Sequence, residues 1–488
     1  MPNSDDQVKC RVPLVSMPWQ YHSWKPLRRR HNRRLSKREV IGISSLAPRV
    51  IVLPCCNGAA LEQRKGKSVK QQSAKPRTMP SRSMDAKLTL DAKTIPQINA
   101  LGQIVLVFQG GGALGAYQAG VYQALHEAGI EPDWIIGTSI GAINASLIAG
   151  NEAEDRLPRL REFWQRMEDK SVWHAWAAWP QMANALSYWK TVTSGIPAFF
   201  TPNPAAFWGQ HVQLGADHAG YYSTAPLEKT LLELVDFSLI NRCKPRLTVG
   251  AAHVRTSQMR YFDGRDVEIG VQHVLASGAL PPAFPAVRID GELYWDGGIL
   301  SNTPTEVVFD DNPRKSSLIF AVHMWNPKGP EPETLWEVMH RQKDIQYSSR
   351  VANHIARQLQ THRLRHVIKQ LIQLIPEDLR QNDAVRDLAE YGCLTQMHVV
   401  RLLAPRLENE DHTKDVDFSP SGIRARWDAG YTNTRRAIDQ AAWQGKFDSL
   451  DGVILHEPEI DESFKAKGSG QTAAASILKM PGGMIAGE

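Results

Sequence analysis

The stretch Ile104-Val105-Leu106-Val107-Phe108-Gln109-Gly110-Gly111-Gly112-Ala113-Leu114-Gly115 joins an apolar run to a glycine-studded turn, and Trp134-Ile135-Ile136-Gly137-Thr138-Ser139-Ile140-Gly141 repeats the arrangement. Between the two turns, Tyr117, Val121, Ala124, Leu125 and Ala128 recur at helical spacing, and Gly129 is placed to end that helix. After the second turn, Ile143 and Leu147 sit four apart on a short helix closed by Gly150. The order predicts a βαβα unit, hence a parallel sheet with helices packed on its faces. Both turns then fall at the carboxyl ends of strands, where open α/β sheets present their ligands.

A serine between two glycines at a strand-to-helix turn is the pattern of a nucleophile elbow, tight and open to an approaching carbonyl. The upstream loop offers bare backbone N–H groups to a developing oxyanion. Together they suggest acyl transfer by Ser139. Gly110-x-Gly112-x-x-Gly115 also spells the dinucleotide fingerprint, which requires an acid at the end of the second strand. Asp133 precedes Trp134–Ile136, and that strand ends on Gly137-Thr138-Ser139. The nucleotide reading is disfavoured on that ground.

A nucleophilic serine needs a base. Asp263-Gly264, between Met259–Phe262 and Val267–Ile269, reads as a hairpin turn, and so does Asp290-Gly291, between Val287–Ile289 and Leu293–Trp295. Asp296-Gly297-Gly298 differs: it follows a short strand directly and leads into Ile299 and Leu300. Its two glycines allow close backbone approach to another loop. A Ser-Asp-His triad would need a later histidine, and His323, His340, His354, His362, His366, His398, His412 and His456 all qualify by order. His323 lies in the apolar run Leu318–Met324 and reads as a packed core histidine. His362 and His366 stand four apart on a basic helix, a metal-like spacing without a matching acid, and read as a solvated face.

These motifs, in this order, resemble the patatin-like phospholipases, serine acyl hydrolases with a Ser-Asp dyad and no catalytic histidine. The segment Ala276-Ser277-Gly278-Ala279-Leu280-Pro281-Pro282 is similar as well, and the resemblance covers roughly residues 102–325. It implies an α/β, patatin-like three-layer sandwich with a mostly parallel central sheet and a mainly helical C-terminal extension. It implies Ser139 as nucleophile and Asp296 as base, with an oxyanion hole from Gly110, Gly111 and Gly112. Gly115, Gly137, Gly141, Gly297 and Gly298 match the family's motif glycines. The implied substrate is a lipid or another acyl ester, with no cofactor and no metal. The chain departs from the family at Leu114, where many members carry Lys or Arg, and that leaves room for an inactive scaffold of the same fold. Asp415–Tyr431 resembles an extension found in some bacterial members.

With 488 residues and 42% hydrophobic content, the chain can bury a large core. No apolar run is long enough for a membrane span. Cys10, Cys55, Cys56, Cys243 and Cys393 lack metal spacing and suit a reducing compartment, so the expected location is cytoplasmic, with peripheral membrane contact open. The net charge of +6 divides into +14 over residues 1–84 and −8 over the rest. Residues 1–98 read as a basic, disordered arm that could attract anionic lipid or nucleic acid, or that precedes a native start near Met84. No nucleic-acid contact is expected of the folded core.

The catalytic domain is expected over residues 99–325, with an aromatic cap at 160–210. The cap holds Trp164, Trp173, Trp176, Trp179, Trp189 and Trp208 with Phe199, Phe200 and Phe207. It either packs on the core or forms a lid that binds acyl chains or a lipid interface. Residues 326–447 read as a mainly helical extension: one or two helices over Leu335–Leu374, a strand at Met397–Leu403, and a helix capped at Ser419-Pro420-Ser421 and running to about Trp443. Its role stays open between packing, dimerisation and partner docking. Residues 448–488 read as a flexible tail.

Overall fold

Strand β1 (Gln103–Phe108) is enclosed along nearly its whole length, which requires a sheet covered on both faces. The computed structural model describes residues 98, 100–169, 190–209, 211–407, 410, 412–448 and 450–458, with backbone only at 207 and 349–354. The other strands of the main sheet are β2 (Trp134–Thr138), β3 (Arg246–His253), β4 (Met259–Asp263), β5 (Val287–Ile289), β6 (Glu292–Asp296), β7 (Ser317–His323), β8 (Met397–Leu403) and β9 (Val453–His456). The order is β9-β8-β7-β1-β2-β3-β6-β5, with β4 also pairing β3. From β9 to β3 every pairing is parallel; β4, β5 and β6 pair antiparallel.

Side chains alternate across this sheet with period two. Leu106, Phe108, Ile135, Leu318 and Phe320 face one core, while Val105, Val107, Ile136, Ile319 and Val399 face the other with Phe309. The first face is covered by α1 (Ala116–Glu127), α2 (Ile140–Ala149) and α3 (Ala153–Met167). The fold is therefore mixed α/β around a mostly parallel sheet, with further helices in the C-terminal region. These are α4 (Leu335–Leu374), a single helix of 40 residues, and α5 (Pro420–Gln440). Ser419 caps α5 by accepting the Gly422 N–H at 3.1 Å. The helix stops short of Trp443 because Ala441 turns left-handed, at φ 42°.

The C-terminal region is built into the sheet. β8 pairs with β7 over Met397–Leu403 and carries β9 on its outer side. Residues 453–456 are thus a strand, where the sequence placed the start of a tail: Val453 pairs Met397 and adds its side chain to the second core. Helix α5 crosses α1 at backbone contact. An ideal Cβ on Gly430 would stand 2.0 Å from the Tyr117 carbonyl oxygen, and one on Gly120 would stand 1.9 Å from that of Trp427.

Two turn acids sort differently from their sequence reading. Asp290-Gly291 does turn β5 into β6, with φ of 51° and 84°. Asp263 instead ends β4, and no strand follows at Val267–Ile269. Its carboxylate is buried against the Arg246 guanidinium (2.5 Å) and the Thr248 hydroxyl (2.7 Å), a structural pairing that hydrophobic spacing cannot signal. His362 and His366 are buried too; the imidazole Nε2 of His366 lies 2.9 Å from the Thr395 carbonyl oxygen. Of the expected arm at 1–98 only Ile98 is described, and it is buried in the first core; the cap residues Trp173, Trp176, Trp179 and Trp189, the side chain of Phe207 and the tail from 459 lie outside the described residues. Among the described residues no helix is long and apolar enough to cross a membrane.

Candidate active site

Strand β2 runs apolar into Gly137-Thr138, and the chain must then reverse into α2 within one residue. Ser139 makes that reversal at φ 57° and ψ −127°, outside the comfortable range for a side-chain-bearing residue. The turn is tight: an ideal Cβ on Gly137 would stand 2.4 Å from the Gly141 carbonyl oxygen, and one on Gly141 2.4 Å from that of Phe108. The backbone N–H of Ser139 donates to the Ser277 hydroxyl at 2.9 Å, and that hydroxyl donates to the Gly250 carbonyl at 2.6 Å.

Asp296 ends β6, where it pairs with Ala251 of β3, so one strand separates it from the serine turn. Gly297 fits under Gly250, whose carbonyl oxygen an ideal Cβ would approach to 2.5 Å. The Gly298 N–H donates to Asp296 Oδ1 at 2.6 Å. Asp296 is buried, and burial raises its pKa from 3.8 to about 6; hydrogen bonding from the Ser139 side chain and the Gly298 N–H opposes the rise. The hydroxyl and the carboxylate, 157 positions apart in sequence, thus share one pocket.

The glycine loop closes the third side. Gly110 lies against Ser139: an ideal Cβ there would be 3.0 Å from the serine Cβ. Its N–H donates to the Asn302 carbonyl at 3.1 Å, so Gly110 is a poor candidate for an oxyanion donor, contrary to the sequence reading. The N–H groups of Gly111 and Gly112 are not engaged in this way among the described residues. Gly112 sits at φ 56°, with the Asp415 carbonyl oxygen 2.2 Å from where a Cβ would be. Gly115 lies farther back; its carbonyl accepts the Asn144 amide at 3.0 Å. Leu114 is buried beside it.

A cavity of about 360 Å³ opens from these groups, a size suited to a small organic ligand. Ile140, Ile143, Leu275 and Leu280 line it together with Phe199, Phe200 and Phe284. The phenyl rings meet edge to face, Phe199–Phe200 and Phe200–Phe284 each at 5.6 Å between centroids. Trp164, assigned to the cap by sequence, is buried and donates to Asn144, whereas Trp208 is largely exposed. No histidine lines this cavity among the described residues. His323 is buried in β7 with its pKa pushed down to about 3, its Nε2 without a hydrogen-bond partner among those residues.

Several wall residues carry no local sequence signal. Lys343 and Tyr347, one turn apart on α4, reach the cavity, as do Asp415, Val416 and Phe418. Lys343 is neutralised by Asp415 at 2.7 Å. Burial and the nearby Asp296 charge push the Tyr347 hydroxyl up to about 12. Gln109, fully buried, ties the loop to the residues just past β7: its Oε1 accepts the N–H groups of Met324 (2.5 Å) and Trp325 (3.1 Å).

Comparison with known proteins matches these two regions separately. Residues 106–309 match the family described as Patatin-like phospholipase, and residues 345–450 match one described as Patatin phospholipase. A patatin-like phospholipase domain-containing protein of Caenorhabditis elegans, ZK370.4, is 28% identical over 211 residues, which is 43% of this chain and 13% of that protein. Lysophospholipase nte1 of Aspergillus terreus is 28% identical over 264 residues, 48% of this chain and 14% of the relative. Triacylglycerol lipase ptl3 of Schizosaccharomyces pombe is 40% identical over 80 residues, 16% of each chain. The chain thus spans about one seventh of the length of these curated relatives. Over residues 106–309 and 345–450, the chain belongs to the patatin-like phospholipase family.

Proposed function

We propose that the protein hydrolyses acyl esters of lipids through Ser139 and Asp296. The observation that carries this reading is that Ser139, at a strained strand-to-helix turn, and the buried Asp296 line one apolar cavity. Ser139 Oγ attacks the ester carbonyl carbon while Asp296 takes its proton. The carbonyl oxygen becomes an oxyanion beside the N–H groups of Gly111 and Gly112. Collapse breaks the carbon–oxygen bond, and Asp296 returns the proton to the departing alcohol. Water then attacks the acyl-serine and gives a proton to Asp296; the bond from the acyl carbon to Ser139 Oγ breaks, Asp296 returns the proton to that oxygen, and the fatty acid leaves.

A carboxylate is a weak base toward a hydroxyl, so the elevated pKa of Asp296 improves the match between the two groups. The larger share of the barrier reduction falls to the oxyanion donors, each worth about 3–4 kcal/mol in comparable sites. The acyl chain lies along Ile140, Ile143, Phe199, Phe200 and Phe284, which exclude water from the reacting atoms. Residues 326–447 act within the same catalytic unit, because Lys343, Tyr347, Asp415 and Phe418 supply one wall of its cavity.

The test is a hydrolysis assay over phospholipids, lysophospholipids and triacylglycerols, with Ser139→Ala alongside and a fluorophosphonate probe for covalent labelling. Loss of turnover and of labelling together in the variant is the expected result. Undiminished hydrolysis by Ser139→Ala would end the proposal. Near-total loss on replacing a single histidine would favour a triad.

A further inference from the structure

Trp325 follows directly on the apolar run of β7 and lies between the two regions that match known families. Its indole Nε1–H donates to the Gly110 carbonyl at 2.8 Å, and the Asn302 side-chain amide donates to the same oxygen at 3.2 Å. A trans peptide is planar, and its N–H points opposite its C=O. Two donors holding the Gly110 carbonyl on one side therefore hold the Gly111 N–H on the other.

We infer that Trp325 is a positioning residue for the oxyanion hole: it locks the Gly110–Gly111 peptide with the Gly111 N–H turned into the space beside Ser139. The inference rests on the proposed hydrolytic reading.

The surroundings of the indole favour a fixed ring. Trp325 is almost fully buried, and its backbone N–H donates to the side-chain oxygen of Gln109, the residue that enters the loop. The Tyr347 ring lies tilted against the indole, 4.8 Å between centroids and 33° between planes. The ammonium of Lys414 lies 5.0 Å from the ring centroid, a cation–π distance. Lys414 is in turn fixed by Asp344 at 2.8 Å and lies 3.2 Å from His340 Nε2, with all three residues buried. The next residue, Asp415, presses its carbonyl against Gly112. The C-terminal region thus holds the glycine loop at two points, through the Trp325 ring and at the Gly112 backbone.

A buried indole N–H finds a partner in any fold, so a purely structural role must be separated from a positioning one. Trp325→Phe removes the donor and keeps most of the ring. A second variant carries benzothienylalanine at 325, which exchanges Nε1–H for sulfur at nearly constant shape. Three quantities are measured on the full chain: kcat and KM for one hydrolysed ester, inhibition by a trifluoromethyl ketone analogue that forms the tetrahedral oxyanion adduct, and the thermal unfolding midpoint.

The expected result is a fall in kcat of about tenfold, since Asn302 still holds the carbonyl, with the ketone weakened in parallel and KM unchanged. The double variant with Asn302→Ala should lose on the order of 100-fold or more in kcat. Unchanged kcat and ketone affinity in the benzothienyl variant would overturn the inference, as would a change confined to KM. Should Trp325→Phe fail to fold, the benzothienyl variant decides alone. Ser139→Ala runs in the same assay: turnover by that variant would sink the hydrolytic reading, whereas its silence beside wild-type kinetics at 325 would sink this inference only.

Discussion

The Ser277 hydroxyl joins Ser139 to the central sheet, accepting the nucleophile's own N–H at 2.9 Å while donating to the Gly250 carbonyl at 2.6 Å. One small side chain thus fixes the height of the serine turn above β3. Ser277 is fully buried, so its removal leaves a donor and an acceptor unsatisfied in the interior. Ser277→Ala is expected to lose about 1–3 kcal/mol of stability in urea unfolding, and turnover is expected to fall further than residual fold content explains. Parent-like kinetics in a stably folded variant would show that the turn holds without it.

Asp296 gives a paired prediction for activity and stability. Only the carboxylate can take the serine proton, so kcat/KM should rise with pH through a limb near 6 and flatten above it. The stability trend runs the other way. Between the unfolded value of 3.8 and the folded value of about 6, the folded chain holds the extra proton, so stability declines as pH climbs through that window. The difference of roughly two pH units corresponds to ~3 kcal/mol. Asp296→Asn should therefore be inactive yet more stable than the parent by up to ~3 kcal/mol above pH 6, with the gap closing toward pH 4. Denaturant titrations of both proteins across that range check the sign.

The α1–α5 crossing leaves no space for a methyl group on either glycine. A Cβ at Gly430 would stand 2.0 Å from the Tyr117 backbone oxygen, and backbone cannot step aside as a flexible side chain can. Gly430→Ala should cost on the order of 3 kcal/mol despite the helix-favouring nature of alanine. A raised unfolding temperature would contradict the crossing.

Phe418 approaches the cavity from the C-terminal region, 5.9 Å from Phe199 between ring centroids. Phe418→Ala should enlarge the apolar space and move chain-length preference upward, by about tenfold in the kcat/KM ratio of long to short esters. A nitrophenyl ester series from short to long acyl chains measures it; an unmoved profile would place the acyl chain elsewhere.

The legible part of this site was the part written in neighbouring residues. Gly137–Gly141, Gly110–Gly112 and Asp296–Gly298 each encode their turn within a few positions, so strand-turn-helix logic singled out Ser139, while Asp296 stood out only as an acid directly after a strand and took its role from the family resemblance. Ser277 sat inside a segment already noticed, yet its hydrogen bonds run to the serine turn and to β3 and have no periodic signature. Trp325, Tyr347 and Phe418 looked like ordinary apolar positions, since nothing local distinguishes a cavity wall from a core. The engagement of the Gly110 N–H by Asn302 was equally invisible, because it joins loops 192 residues apart. His362 and His366 misled for the converse reason: a basic helix looks solvated until the element covering it is known.

The pairing of β8 onto β7 moves the open border of the sheet away from the catalytic half. A fragment ending after Trp325 would present Leu318–Val322, all buried in the full chain, as an unpaired ribbon of backbone donors and acceptors. Such a border recruits any strand it meets. The patatin half expressed alone is therefore expected to self-associate through that ribbon, which β8 covers in the full chain.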